Sequence, residues 1–151
     1  MSPSGTTLQP LQHSFLDAPE FAEAQVADAM RMGVVSCPDG TTLREAARIM
    51  ATYRIHCVVV SDLEGQRPWG VVSDSDLAAA ASRDLDAVAV RDVARTELVT
   101  VAANEPLARA AQLLTEHQVT HLVVVTGANR HPVGVLSTLD LAGVLAWGGA
   151  A

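Results

Sequence analysis

The sequence predicts an α/β fold made of two intertwined β-α-β-β-α repeats related by pseudo-twofold symmetry, and three observations carry that expectation. First, sliding the chain along itself by 64 positions superposes residues 26–80 on residues 90–144 without a gap. The identical pairs include Val26/Val90, Asp28/Asp92, Arg31/Arg95, Leu43/Leu107, Ala46/Ala110, Val59/Val123, Gly70/Gly134, Ser73/Ser137 and Asp76/Asp140. Second, each copy alternates helical and strand patterning in the same order. Third, 151 residues that are 49% hydrophobic and 18% charged can bury a sizeable core. Aromatics are only 3%, so Val, Leu and Ala must build it. Two copies are too few for a solenoid, and a pair sharing one core is the expected arrangement.

Taken in order, each copy opens with a short helix, Glu23–Met30 or Ala87–Ala94, that leads into an extended run, Val34–Cys37 or Leu98–Val101. Turn residues follow, Pro38-Asp39-Gly40 in one copy and Asn104-Glu105-Pro106 in the other. Leu43, Ala46, Ala47 and Met50 then recur at helical spacing and predict a helix from Thr42 to Tyr53. Its counterpart, Pro106 to His117, carries Leu107, Ala110, Ala111 and Leu114. The runs Cys57–Val60 and Leu122–Val125 are continuous and β-branched, as in strands buried on both faces. A polar turn (Ser61 to Arg67, Thr126 to His131) precedes a second strand, Trp69–Val72 or Val133–Leu136, and a last helix starts near Asp74 or Thr138. The expected domains are a loose tail over residues 1–20, a first repeat over 21–82, a linker over 83–89, a second repeat over 90–146 and a C-terminal tail over 147–151.

Charge and composition exclude several classes of function. The net charge of -7 argues against a protein held to nucleic acid by phosphate neutralisation, and against an anionic membrane surface. No apolar run approaches the 18 or so residues of a membrane span. Neither is a secretory signal visible in the first twenty residues. Cys37 and Cys57 are isolated thiols without CxxC spacing, which fits a reduced, cytoplasmic protein better than a disulfide.

The repeats end in Gly-Val-Val-Ser-Asp-Ser-Asp (residues 70–76) and Gly-Val-Leu-Ser-Thr-Leu-Asp (residues 134–140). A strand ends, Ser sits at the turn, and Asp falls in the first turn of the next helix, outside the core. Backbone N–H groups at a helix start favour an anion, the Ser hydroxyl can add to that cradle, and a carboxylate suits the paired hydroxyls of a ribose. The same residues also fit plain helix capping, and both readings stand at this point.

With the element order, these motifs make residues 22–146 resemble a tandem pair of cystathionine-β-synthase (CBS) domains, a Bateman module, here stand-alone. The resemblance implies a regulatory module that binds an adenosine-containing ligand (AMP, ADP, ATP or S-adenosylmethionine) in inter-repeat clefts and signals to a partner. It implies no required cofactor. One cleft would use Ser73, Ser75 and Asp76 with Val99, Thr120 and His121; the other would use Ser137 and Asp140 with Val35, His56 and Cys57. His121 takes a basic position whose repeat mate is Cys57, and Leu139 replaces the hydroxyl of Ser75, so the clefts should differ. On that count the Asp76 site is expected to be the better phosphate binder. The resemblance also implies a homodimer formed through helices, aided by small residues from Leu77 to Ala81, and a separate, unnamed protein target. The competing reading is a structural dimerisation module with no physiological nucleotide.

Other constellations carry less. His117 and His121 are four apart, but Val119 and Thr120 read as a strand entry and no further ligand stands at metal spacing, so no metal site is expected. No motif assembles a nucleophile, a base and an orienting group, so no enzyme is expected. Arg130 and His131 fall in a polar turn, and His13 in the tail. Trp69 is expected in the core or an interface, and Trp147 against the C-terminal segment or a partner.

Overall fold

The structure, a computed structural model, describes residues 15–62, 67–96, 98–128 and 130–150. His13, most of the turn after Ser61, and the first fourteen residues of the expected tail lie outside the described residues. The elements are β1 (Arg31–Met32), β2 (Ser36–Pro38), α1 (Leu43–Tyr53), β3 (Cys57–Ser61), β4 (Pro68–Ser73), α2 (Asp74–Ala79), β5 (Thr100–Ala102), α3 (Leu107–His117), β6 (His121–Thr126), β7 (His131–Ser137) and α4 (Thr138–Trp147). Short 3-10 turns cover Val26–Asp28 and Val90–Asp92. The class is α/β, and the main helices and strands fall where periodicity puts them.

The chain divides into two compact units that do not coincide with the repeats. One unit spans Val34–Leu98, and the other joins the segment ending at Gly33 to the segment starting at Val99. The opening segment of each repeat is therefore folded with the rest of the other repeat, which is how the chain intertwines.

In the 34–98 unit, β2 runs parallel to β3, and β4 pairs antiparallel with β3. Helix α1 makes the parallel crossover. Thr42 caps it by accepting from Glu45 N at 3.1 Å, and Leu43, Ala46 and Met50 point inward. They meet Val58, Val60, Val72, Val88 and Val90. All five residues of β3 are buried, as its unbroken apolar run requires. The expected linker is part of this packing: Val88 O accepts from Leu43 N at 2.9 Å, and Thr41 O accepts from Val90 N at 2.7 Å.

The other unit has the sheet order β1-β7-β6-β5, with β5 parallel to β6. Its core is separate, built from Val26, Ala29, Val101, Leu107, Ala110, Leu114, Leu122, Val124, Leu136 and Val144. Each unit thus has a buried apolar cluster of its own.

Three expectations change in detail. The opening helices shrink to 3-10 turns because their N–H groups go elsewhere. Val26 N donates to Glu105 O and Ala27 N to Ala103 O, both at 2.9 Å. The Asp28 and Asp92 carboxylates accept from Gln25 N and Ala89 N at 2.8 and 3.1 Å. The tail ends sooner than residue 20: Ala18 is buried and Phe15 packs on the core. At the other end, Trp147 closes α4, half exposed, and Gly149 N donates to Ala18 O at 2.8 Å, so the last residues are held.

Candidate functional site

Each unit brings the start of a central strand beside the turn that ends its hairpin partner. In the 34–98 unit, Cys57 opens β3 directly opposite Ser73, the last residue of β4. His56 O accepts from Asp74 N at 2.9 Å, and Val35 O accepts from Val59 N at 3.0 Å. Val35, His56, Cys57, Ser73, Ser75 and Asp76 therefore belong to one end of one sheet. In the other unit, His121 opens β6 opposite Ser137. Thr120 O accepts from Thr138 N at 3.0 Å, and Val99 O accepts from Val123 N at 3.1 Å. Val99, Thr120, His121, Ser137 and Asp140 gather in the same way, so within each unit the motif residues stand beside other strand-start residues than those the resemblance pairs with them.

The two turns are built alike. Ser73 Oγ accepts from Asp76 N at 3.3 Å, while Asp76 Oδ2 accepts from Ser73 N at 2.8 Å and from Ser73 Oγ at 3.0 Å. The matching distances for Ser137 and Asp140 are 3.2, 2.9 and 2.9 Å. Both are capping boxes, so the capping reading of the motif is realised in the structure. Capping uses only Oδ2 of each carboxylate. The other oxygen, Oδ1, faces an arginine: Arg95 Nε lies 3.8 Å from Asp76 Oδ1, and Arg31 Nε lies 3.9 Å from Asp140 Oδ1. Asp140 is 4% exposed, so one of the two motif carboxylates is inside the core rather than outside it as expected. Oδ2 accepts two hydrogen bonds and the Arg31 guanidinium stands near Oδ1, which together offset the cost of burying the charge.

The units differ around this common frame. Ser75 Oγ lies 2.8 Å from Ser73 Oγ, adding a second hydroxyl, whereas Leu139 is exposed at the matching position. His56 Nδ1 is 2.7 Å from Asp74 Oδ2, so the first turn carries a second carboxylate where the other has Thr138. His121 Nδ1 is 2.9 Å from Thr120 Oγ1. His117 ends α3 and His121 starts β6, separated by Gln118 at φ 54, so the two imidazoles do not share a helix face. Among the described residues no group of three or more metal-binding side chains occurs, and no helix is long and apolar enough to cross a membrane. Trp69 packs on the core and donates to Asp39 Oδ2 at 3.3 Å.

Sequence reasoning named neither Arg31 nor Arg95 as a site residue, and set Asp74 aside because it and Asp76 stand two apart on a helix. The arginines are an identical pair at the repeat offset, which is the signal that could have found them.

Comparison with known proteins places this geometry. The CBS domain family model matches residues 26–83 and again 90–146. The CBS domain-containing protein YhcV of Bacillus subtilis is 32% identical over 122 residues, covering 79% of this chain and 84% of that protein. A homoserine O-acetyltransferase of Methanocorpusculum labreanum is 27% identical over 143 residues; the chain spans 28% of that protein's length. Among solved structures, the CBS domain protein PAE2072 of Pyrobaculum aerophilum, complexed with AMP, is 31% identical. It superposes with a TM-score of 0.70, covering 82% of this chain and 97% of its own. The chain belongs to the CBS domain family and carries two copies of the domain.

Proposed function

We propose that the chain is a regulatory module that binds an adenosine-containing ligand and passes the bound state to a separate protein target, without catalysing a reaction. The observation that carries this is the duplicated frame: a strand start, a hydroxyl and a carboxylate with one uncapped oxygen, built the same way in both units. Asp76 Oδ1 and Asp140 Oδ1 accept the ribose hydroxyls, since Oδ2 is committed to the cap. Ser73, Ser75 and Ser137 supply hydroxyls for phosphate. Val35, His56 and Cys57 in one unit, and Val99 and Thr120 in the other, offer surface for the base, and His121 takes the basic position that approaches phosphate. The AMP bound by the 31%-identical relative supports this class of ligand. S-adenosylmethionine enters through the family resemblance.

The ligand is identified by extracting native protein and examining released small molecules by mass spectrometry. An adenosine compound at near-stoichiometric amount is expected. Extracts without one, together with no binding of any adenosine ligand in titration, would overturn the reading and leave the dimerisation module as the better account.

The same module is a homodimer in this proposal. Helix α4 exposes Leu139, Leu145 and Trp147, and the α2 region exposes Ala78, Ala79 and Ala81. The exposed apolar side chains of α4 and the exposed small residues of the α2 region each suit contact with a second copy. Sedimentation at tens of micromolar should give the dimer mass; a monomer would contradict it.

A further inference from the structure

We propose that Arg31 and Arg95 are the specificity-determining residues of the two sites, selecting a 5′-phosphorylated adenosine over an uncharged nucleoside. This inference rests on the adenosine-ligand reading above and names the charge of its ligand.

The argument begins at the motif glycines. A Cβ on Gly134 would stand 2.4 Å from Arg31 O, and one on Gly70 would stand 2.6 Å from Arg95 O. Glycine is required there so that the segment carrying the arginine can lie on the strand that leads to the Ser turn. Backbone pairing then fixes the arginine's position. Arg31 pairs with Val135 in the β1–β7 ladder. Arg95 N donates to Val71 O at 2.9 Å, and Val71 N donates to Arg95 O at 3.2 Å. In both units the arginine therefore sits two residues before the motif serine, one strand over.

Its side chain is committed only loosely. Each Nε lies 3.8–3.9 Å from the uncapped carboxylate oxygen, beyond hydrogen-bond distance, and the side chains are 46% and 60% exposed. A guanidinium carries five N–H donors in a planar fork suited to phosphate. Such a phosphate would need a cation, because the turns themselves bring negative charge: Asp74 and Asp76 at one, Asp140 at the other. Arginine beside the carboxylate lets one site take ribose hydroxyls and an anion together.

Calorimetric titration of the full chain with AMP and with adenosine tests this on wild type, the R31A/R95A double variant and the corresponding double lysine variant. Loss of a hydrogen bond to a charged group predicts AMP affinity down roughly tenfold or more in the alanine variant. Adenosine affinity should change by less than about twofold, and lysine should keep part of the preference for AMP. Equal losses for AMP and adenosine would mean the arginines act through the carboxylates, and would overturn the proposal, as would an unchanged AMP affinity. Should the alanine variant fail to fold, R31Q and R95Q, which keep most of the stem, carry the same comparison. A wild type that binds neither these two compounds nor ADP, ATP or S-adenosylmethionine overturns the functional reading itself, and this inference with it.

Discussion

Placing a methyl on Gly134 should disturb the fold, because the space there is closed by rigid backbone. The added Cβ would stand 2.4 Å from Arg31 O and 3.1 Å from Met30 Sδ. The first neighbour is backbone and cannot rotate away, so β1 must move. Strand β1 is only two residues long, held by the Arg31–Val135 and Met32–Gly134 pairs and by Gly33 N donating to Val133 O at 2.8 Å. Weakening about two hydrogen bonds at about 1 kcal/mol each gives about 2 kcal/mol, within the usual range for overpacking. For a chain of this length that lowers the melting temperature by roughly 4–8 °C. G70A should behave alike, because its Cβ would meet Arg95 O at 2.6 Å. G40A is the control: its methyl meets only the end of the Arg91 side chain, at 3.4 Å, and should change stability by less than about 0.5 kcal/mol. Urea titration followed by circular dichroism measures all three. G134A and G70A indistinguishable from G40A would refute the claim that the motif glycines seat the arginine segments.

Three other outcomes follow from the same geometry. D140A should lower stability by about 1–2 kcal/mol, because a buried capping partner is lost, and D76A by no more than that, since its carboxylate is less buried; urea midpoints compare them. H121A should weaken an anionic nucleotide more than C57A does, measured by calorimetry, and equal losses would remove the assignment of a phosphate-facing role to His121. Burial pushes the Cys37 thiol above its ordinary value, against a smaller lowering by the Thr41 hydrogen bond. Its contribution to stability is therefore complete below the unfolded value of about 8.5 and lost as pH rises through the raised folded value. C37A should flatten that alkaline loss in melts taken from pH 7 to 10.

Much of this architecture is legible in the sequence because its strongest signals are local. Leu43, Ala46 and Met50 fix the buried face of α1, and the valines of β3 and β6 admit no exposed face. What the sequence hides is which repeat each opening segment joins. Glu23 to Met30 looks like a helix by composition, yet the N–H groups of Val26 and Ala27 are taken by Glu105 and Ala103, about 80 residues away. Strand β1 is two exposed residues with no period to read. The site divides along the same line. Ser73, Asp76, Ser137 and Asp140 announce themselves as a repeated motif, and capping chemistry explains their spacing. Arg31 and Arg95 join them only through the exchange of segments, so their identity at the repeat offset was visible but not their purpose. The burial of Asp140 was equally hidden, since a helix-start carboxylate is ordinarily solvated.

The central claim, that Asp76 and Asp140 hold an adenosine ligand, is tested most directly by the ligand-induced melting shift of wild type and of the D76A/D140A double variant, each against its own ligand-free melt. A ligand at 100 times its dissociation constant stabilises the native state by about 2.7 kcal/mol per site. For this chain that is roughly 5–10 °C. Wild type should show such a shift with AMP, ADP, ATP or S-adenosylmethionine, and the folded double variant should show none. A double variant that folds and keeps the full shift would contradict the account, leaving these carboxylates as helix caps and nothing more.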